Sequence, residues 1–464
     1  MIYRDRSLKL LPNHWKWVKL GEVIHLKNGF AFKSDDYTSN GIPLIRISDI
    51  NDNKVNTESA VKIPVDKANW DFLIESGDLL IAMSGATTGK TGIYLGKEPV
   101  LQNERVGNFK IIDENIINKK WRNLYVTFLR VEIENAAYGG AQPNISSKKI
   151  ETFDFPLAPL NEQKRIADKL DSILARVDAC RERLDRFPVI LKRFRQSVLA
   201  AATSGKLTEE WRENSCNRSS WQEINVGELL IDIRYGTAKK CHYEPQATPV
   251  IRIPNICDGK ISHIDLKYAE FDDEERQKLS LVTGDILMIR SNGSVDLVGR
   301  TALATEADEG FLYAGYLIRL RVNQQIVNPT YLSLALSAPD ARHAIELTAR
   351  STSGVNNINT EEIKLIDIKL PNFTEQTEIV RRVEELFAYA DRIEARYQAA
   401  RTRVDKLTPA ILAKAFRGEL VPQDPSDEPA SVLLERIRAS RAEDAASLKP
   451  KRSLGKKIKA TGKN

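Results

Sequence analysis

Cysteine is scarce in this sequence, with four residues among 464, at positions 180, 216, 241 and 257. None forms a Cys-x-x-Cys pair, and the five histidines do not complete a zinc-binding spacing. Cys241 and His242 could form a fragment of a metal site with Cys257, but free thiols in a reducing compartment are the simpler interpretation. We therefore expect no metal site in this chain.

Long hydrophobic runs are also missing. No stretch of eighteen apolar residues occurs, and the first residues lack the apolar core of a signal peptide. We therefore expect no membrane partner and a cytoplasmic location. The hydrophobic fraction of 42% and charged fraction of 28% are typical of globular domains. A chain of 464 residues exceeds one ordinary core, which predicts two or more domains.

Positive charge is only slightly in excess, with a formal net charge of +6. Much of it is local, because residues 449–464 contain seven Lys or Arg and no acidic residue. This basic tail is expected to be a solvated arm that can touch phosphates without sequence preference. The remaining chain is close to neutral, so composition alone does not indicate DNA binding.

The sequence contains an internal repeat. A shift of 213 residues superimposes Glu162-Gln163 on Glu375-Gln376, and a shift of 207 superimposes Gly77-Asp78 on Gly284-Asp285. The change in shift indicates loops of different length inside equivalent units. The chain is therefore predicted to be two copies of one plan, a mixed domain followed by a helix.

Each copy carries apolar residues at steps of four and three, which is typical of a coiled-coil seam. The two seams are Ile166, Leu170, Ile173, Val177, Cys180, Leu184, Phe187 and Ile379, Val383, Leu386, Ala390, Ile393, Tyr397, Ala400. Two equal seams most simply pack on each other as an antiparallel pair, although each could instead cover its own domain. A helix over residues 161–187 would span about 40 Å.

Candidate helix ends follow from the polar residues and prolines around these seams. Asn161 and Thr374 are suitable N-caps for the two helices. Pro188 and Pro409 each lie where a long helix would kink or a second helix would begin.

The segments before each helix have runs of β-branched and aliphatic residues broken by polar loops, which predicts short strands. The loop Ser84–Thr91 resembles a phosphate-binding P-loop with Ser in place of the first Gly. A strand, rather than the required helix, is expected after it, which argues against nucleotide hydrolysis. The same loop is suited to bonding a DNA backbone or base edge.

Arg46 and Arg252 occupy equivalent places in the two copies. Both could reach DNA, but a role in folding is slightly favoured, since residues that read different sequences should differ between copies. The divergent loops are better candidates. Together with the two arginines, the candidate DNA-binding residues are Arg46, Ser84, Thr87, Thr88, Lys90, Asn103, Arg105, Arg252, Arg290, Ser291, Asn292, Ser294 and Arg300.

Catalytic motifs are not evident. Asp340 and Glu362 could be mistaken for nuclease metal carboxylates, but their spacing is generic and the repeat partner of Glu362 is Lys149. No methyltransferase motif, methyl-donor fingerprint or Ser/His/Asp nucleophile set stands out. We therefore expect no catalytic residue in this chain.

The segment Pro159–Ile166, its copy Phe373–Val380 and the segment Ile411–Leu420 resemble the repeated signature of type I restriction–modification specificity subunits. The resemblance covers the chain up to about residue 440, and the basic tail lies outside it. A small departure is Asn372-Phe373 where the first copy has Pro159-Leu160, which affects only the helix entry.

The resemblance implies an α+β fold with two pseudo-repeated mixed α/β target recognition domains, separated by two long antiparallel coiled-coil helices. The expected parts are the first recognition domain, the central spacer, the second recognition domain, the second spacer, and a C-terminal helix with the basic tail. Their bounds are 1–158, 159–203, 204–370, 371–420 and 421–464.

The resemblance also implies partners. Such a chain binds double-stranded DNA at a bipartite target, and docks two methyltransferase subunits for N6-adenine methylation and two restriction subunits for cleavage. S-adenosylmethionine, ATP and magnesium then belong to those partners. The candidate docking or spacer residues are Glu162, Gln163, Ile166, Leu170, Glu375, Gln376, Ile379 and Val383. The alternatives are a stand-alone DNA-binding regulator and an enzyme built on Lys90 or Glu362.

Overall fold

The computed structural model describes residues 11–51, 53–137, 143–214, 221–349 and 355–447. The basic tail and Cys216 lie outside these residues, so the predictions made for them stay predictions. The chain forms two compact units. The first unit comprises Met1–Glu182 and Arg401–Asn464, and the second unit comprises Arg183–Ala400.

Thirteen α-helices occur in the described residues. They are α1 Leu20–Val23, α2 Lys119–Phe128, α3 Arg130–Ala137, α4 Ser147–Glu151, α5 Leu160–Asp185, α6 Phe187–Thr203, α7 Glu209–Asn214, α8 Asp273–Leu279, α9 Pro329–Ser337, α10 Pro339–Thr348, α11 Thr360–Lys364, α12 Phe373–Phe416 and α13 Ala430–Ser447.

The strands are short, as expected. In the first unit they are β1 Lys16–Lys19, β2 Ile24–Asn28, β3 Ile42–Ile45, β4 Ile50–Asn51, β5 Asn53–Val55, β6 Lys62–Ile63, β7 Leu73–Ile74, β8 Leu79–Ala82, β9 Thr91–Ile93, β10 Val100–Gln102, β11 Val106–Ile111 and β12 Asp154–Leu157. In the second unit they are β13 Gln222–Asn225, β14 Leu230–Tyr235, β15 Thr248–Ile251, β16 Ile256–Cys257, β17 Gly259–Ile261, β18 Lys267–Ala269, β19 Ile286–Ile289, β20 Ser291–Asn292, β21 Thr301–Leu303, β22 Leu312–Tyr313, β23 Leu317–Val322, β24 Asn356–Asn357 and β25 Asp367–Leu370.

The two units share one sheet topology. The six-stranded sheet runs β2-β11-β8-β9-β5-β4 in the first unit and β14-β23-β19-β21-β17-β16 in the second. Smaller sheets are built around β3 and β10 in the first unit, and around β15 and β22 in the second. In the six-stranded sheets the order is the same strand for strand, so the predicted repeat of mixed domains is confirmed at the level of topology, although the smaller sheet has four strands in the first unit and three in the second.

The central strands explain why the sequence segments before the helices are so apolar. All four residues of β8 are buried, and successive side chains enter different cores, because side chains alternate between the faces of a strand. Leu79 and Ile81 join the core that includes the long helices, whereas Leu80 and Ala82 join a second core on the other face. Strand β19 divides its residues in the same way.

In the first unit, α5 packs antiparallel to the end of α12. Ile166 and Leu170, near the start of α5, share a core with Phe416. Further along, Arg181 Nε lies 3.5 Å from the carboxylate of Asp405. Rising residue numbers on one helix thus meet falling numbers on the other, which confirms the predicted antiparallel helices within this unit.

In the second unit, α6 packs antiparallel to the first part of α12. Phe187 stacks on Tyr397 with ring centroids 6.0 Å apart, and Arg195 donates to Asp391 at 2.8 Å. Val198 then shares a core with Val383. The second seam therefore has α6 as its partner within this unit, and Phe187, the first residue of α6, is the one residue of this helix that the predicted first seam included. The helical segment that packs on the second seam extends past Phe187, where the heptad pattern ends, to Thr203.

Helix ends agree only in part with the prediction. Helix α5 begins at Leu160, so Asn161 lies inside it and is not its N-cap. Helix α12 begins at Phe373, and the Asn372 side chain accepts a hydrogen bond from Glu375 N at 2.9 Å, so Asn372 and not Thr374 caps this end. A second helix does begin near Pro188, because α6 starts at Phe187 and has Pro188 in its first turn, whereas α12 continues through Pro409 to Phe416.

A buried glutamine fixes each long helix to its domain. In the first unit the Gln163 side chain accepts a hydrogen bond from Asn118 N at 2.9 Å and donates to Ile116 O and Ala158 O. In the second unit Gln376 accepts from Asn328 N at 2.8 Å and donates to Ile326 O and Pro371 O. Three backbone groups of each domain thus depend on one helical side chain.

The neighbouring glutamates are buried too. Glu162 accepts from Trp15 Nε1 at 2.8 Å and from Gln423, and Glu375 accepts from Thr208 Oγ1 at 2.7 Å and from Arg212. Burial raises the pKa of the Glu162 carboxyl, and the hydrogen bonds from Trp15 and Gln423 oppose that rise.

The eight candidate docking or spacer residues lie at these buried positions. Glu162, Gln163, Glu375 and Gln376 are at most 1% exposed, and each side chain is hydrogen-bonded within the chain, with Glu375 Oε2 the one of their oxygens that has no partner in the described residues. The four apolar candidates, Ile166, Leu170, Ile379 and Val383, are buried as well. These contacts favour the spacer role over direct docking.

Replacing Gln163 with Leu should destabilise the first unit by about 3 kcal/mol, since three buried backbone groups lose their partners. Hydrogen exchange of the backbone amides measures the stability of each unit. Protection should fall in the first unit and stay unchanged in the second. Gln376→Leu should give the reverse pattern, and Lys164→Ala, at an exposed position on α5, should change neither unit. Equal losses in both units for either Leu variant would contradict the assignment.

Candidate nucleic-acid interface

Three strands of the first unit deliver predicted residues to one end of the sheets. Arg46 follows β3, and Asn103 follows the adjacent parallel strand β10. Asn103 N donates to Ile45 O at 3.1 Å, and Met83 N, after β8, donates to Arg105 O at 3.0 Å. The structure therefore brings together residues that are up to about sixty positions apart in the sequence.

The loop after β8 is held in shape by its own backbone. Gly85–Thr87 form a single 3-10 turn, and strand β9 follows at Thr91, as predicted, in place of the helix that a P-loop needs. Thr88 is buried and donates to Gly85 O at 2.7 Å, so its hydroxyl supports the loop. The Ser84 and Thr87 hydroxyl oxygens have no partner in the described residues.

Lys90 and Arg300 occupy the same place in the two units. Each follows a glycine in the left-handed region, with φ of 87° at Gly89 and 78° at Gly299. The two glycine amides donate to the last residues of β8 and β19, which fixes both cations at the start of the next strand. Lys90 Nζ donates to Asn51 at 3.1 Å, and Arg300 is exposed.

Arg46 and Arg252 share a capping turn. Arg46 N donates to the Asp49 side chain at 2.9 Å, and Arg252 N donates to Asn255 at 3.0 Å. The Arg46 guanidinium lies 3.6 Å from Asp49, and Arg252 pairs with Asp265 at 3.0 Å. These ion pairs support the structural role that the sequence analysis slightly favoured.

In the second unit the remaining candidates surround strands β19 and β20. Ser291 and Asn292 form β20, which pairs with Asn357 and Asn356 of β24. Ser294 is exposed, and its amide donates to Asn292 Oδ1 at 2.9 Å. The first unit has a matching bridge between Ser84 and Asn144.

Sequence reasoning missed several residues at this end. Tyr316, which is 64% exposed, is the structural counterpart of Arg105, because its carbonyl accepts from Arg290 N at 3.0 Å. Tyr235 and Asn357 contact the Arg290 guanidinium directly. The correspondence of Tyr316 with Arg105 could have been found in the sequence, because the repeat continues through β11 and β23 with a shift of 211.

The competing enzyme interpretations find no support at the residues on which they would depend. Glu362 accepts a hydrogen bond from Asn359 N at 2.9 Å in a helix-capping pair, and Asp340 lies in the first turn of α10. Throughout the described ranges no cluster of His, Cys, Asp or Glu is placed to hold a metal ion. Cys180, Cys241 and Cys257 are free thiols. No helix of the described part of the chain is long and apolar enough to cross a membrane.

These features define a two-copy protein whose domains present unlike loops on a shared frame. The family model described as Type I restriction modification DNA specificity domain matches twice, over residues 12–185 and 218–400. The chain therefore belongs to the family of type I restriction–modification specificity subunits, which confirms the resemblance found in the sequence.

Individual relatives span nearly the whole chain. It is 35% identical over 463 residues to the type I restriction enzyme EcoKI specificity subunit of Escherichia coli K12, covering 93% of this chain and 96% of that one. It is 35% identical over 457 residues to the StySPI specificity subunit of Salmonella potsdam, with the same coverage of each chain.

Solved structures share the fold. A chain from a type I R-M system matches with a TM-score of 0.64 at 18% identity, covering 88% of this chain and 99% of that one. The HsdS subunit from Thermoanaerobacter tengcongensis matches with a TM-score of 0.55 at 18% identity, covering 88% and 98%.

Replacing Gly299 with Ala should cost about 2 kcal/mol of stability in the second unit. Its φ is unfavourable for a residue with a side chain, and the added Cβ would lie 2.4 Å from Ile345 Cγ2. Gly293→Ala, where a Cβ meets nothing within 4 Å, is the matched control and should be near neutral. Thermal unfolding of the two variants would decide, and equal midpoints would contradict this account of the loop.

Proposed function

We propose that this chain reads a bipartite DNA sequence, one half with each unit, for a type I restriction–modification complex. One observation carries the proposal. The six-stranded sheets of the two units have the same strand order, but the side chains in the loops that follow β8 and β19 differ. A shared frame with unlike loops suits two readers of unlike half-sites, because loops on a rigid frame can vary without loss of the fold.

The charges at the loop end divide into two roles. Lys90 and Arg300 are cations at equivalent positions in both units, so they suit phosphate contacts, which carry no sequence information. Residues that differ between the units, among them Arg105 and Arg290, suit base readout in the major groove.

The remaining parts of the proposal follow from the family. The long helices serve as spacer and as the docking region for two methyltransferase subunits, and two restriction subunits complete the complex. S-adenosylmethionine, ATP and magnesium bind to those subunits, which carry out N6-adenine methylation or DNA cleavage. A helix of 26 residues such as α5 is about 40 Å long, close to one turn of DNA. We also propose the cytoplasm as the place of action.

An exchange of recognition domains tests the proposal. Residues 1–158 are replaced by the matching domain of the EcoKI relative, and the chain is produced with its own methyltransferase subunits. Methylation mapping of the host genome should show one half of the recognised sequence changed and the other half kept. A change in both halves, or in neither, would refute the division of labour between the units.

Removing the equivalent cations should weaken DNA binding at all sequences alike. For the complex with methyltransferase subunits, Lys90→Ala and Arg300→Ala should each reduce the slope of log K against log salt by about 0.9. Lys278→Ala is the control, because this exposed lysine of α8 pairs with Glu274. A change in base preference with an unchanged salt slope would contradict the phosphate role.

A further inference from the structure

The guanidinium of Arg290 is held in place before any ligand arrives. Its Nε donates to Asn357 Oδ1 at 3.2 Å, and its carbon lies 4.5 Å from the centroid of the Tyr235 ring. Tyr235 is itself fixed, because its hydroxyl accepts from Thr360 N at 3.2 Å. A stacked and hydrogen-bonded arginine loses little rotamer freedom on binding, which favours affinity and specificity.

The backbone of Arg290 is fixed as well. Its N–H donates to Tyr316 O at 3.0 Å, and its carbonyl accepts from Ile358 N at 2.9 Å. Residue 290 is therefore clamped between the β22–β23 loop and the segment after β24. A side chain on such a fixed backbone is oriented more precisely than a side chain on a free loop.

The hydrogen-bonding fork of this arginine remains available. Within the described residues, the Arg290 guanidinium makes its hydrogen bond through Nε. The N–H groups of its two terminal nitrogens, Nη1 and Nη2, therefore remain free to donate to a ligand. A planar pair of N–H donors matches two acceptors on one edge, such as O6 and N7 of guanine in the major groove.

The first unit has the same clamp with a different side chain. Met83 N donates to Arg105 O at 3.0 Å, and Met83 O accepts from Ile145 N at 3.0 Å, as in the second unit. The partner of β11 ends in Asn28 where the partner of β23 ends in Tyr235. The position of Arg290 is thus taken by Met83, which has no donor and lacks the aromatic support.

We propose that Arg290 reads a guanine in the half-site of the second unit by bidentate hydrogen bonding, with Tyr235 and Asn357 as its positioning residues. This inference rests on the proposed function and assigns the recognition of one base, guanine, to one residue, Arg290. Because Met83 cannot make this contact, a guanine read from this backbone position is expected in the half-site of the second unit and not in that of the first.

Arg290→Met is the decisive variant, since methionine is the residue that the first unit holds in the same backbone setting. Methylation by the complex is measured on duplexes carrying each of the four bases at every position of the site. The wild type should prefer guanine at one position of one half-site by about 10- to 100-fold. Arg290→Met and Arg290→Lys should lose that preference and keep every other position, because lysine keeps the charge but not the fork.

The positioning role is tested on Tyr235. Tyr235→Leu should reduce the guanine preference severalfold with Arg290 still present, whereas Tyr235→Phe should retain most of it through the ring. Thermal unfolding of each variant shows whether the second unit is intact. A purely structural tyrosine would lower stability and activity at all sequences without changing base preference, and that result would overturn its assignment.

The outcomes separate this inference from the proposed function. Uniform weakening at all sequences by Arg290→Met, with full recovery by Arg290→Lys, would place Arg290 on a phosphate and overturn the inference. An unchanged base preference in Arg290→Met would also overturn it. If the wild-type complex methylates no defined bipartite site, the proposed function itself fails.

Discussion

The link between each recognition domain and its long helix depends on one buried glutamine. Gln163 and Gln376 each bond three backbone groups of the adjoining domain, and one of these is the N–H of the residue that caps the next helix, Asn118 or Asn328. Because these bonds are buried and directional, a domain cannot rotate on its helix without leaving polar groups unpaired. The loops at the far end of the sheets are therefore carried by a fixed frame.

That frame explains how the two units can differ at their loops while sharing a topology. The central strands β8 and β19 are buried on both faces, so they tolerate little besides aliphatic residues. The residues just beyond them are held by backbone hydrogen bonds that do not depend on side-chain identity, as at Met83 and Arg290. Side chains at these positions can therefore change without a change in the backbone.

Much of the fold could be predicted from the sequence. The repeat, the short strands, the two long helices and their antiparallel direction followed from periodicity and from the matching segments of the two copies. The helix caps and the partner of each seam did not follow. Asn372 caps α12 in place of Thr374 because the helix starts two residues earlier than the predicted cap implies, and α6 continues beyond the recognisable heptads.

The sequence by itself determined that this chain consists of two related units and that their loops diverge, because heptad spacing and repeated signatures are properties of the linear order. Only the tertiary structure decided which loop residues meet. Tyr235, Arg290, Tyr316 and Asn357 are brought together from the ends of separate strands and the residues next to them, and no spacing in the sequence reports this. The physical reason is that strand pairing sets these contacts across long sequence separations, whereas local patterns record only the neighbours along a single helix or strand.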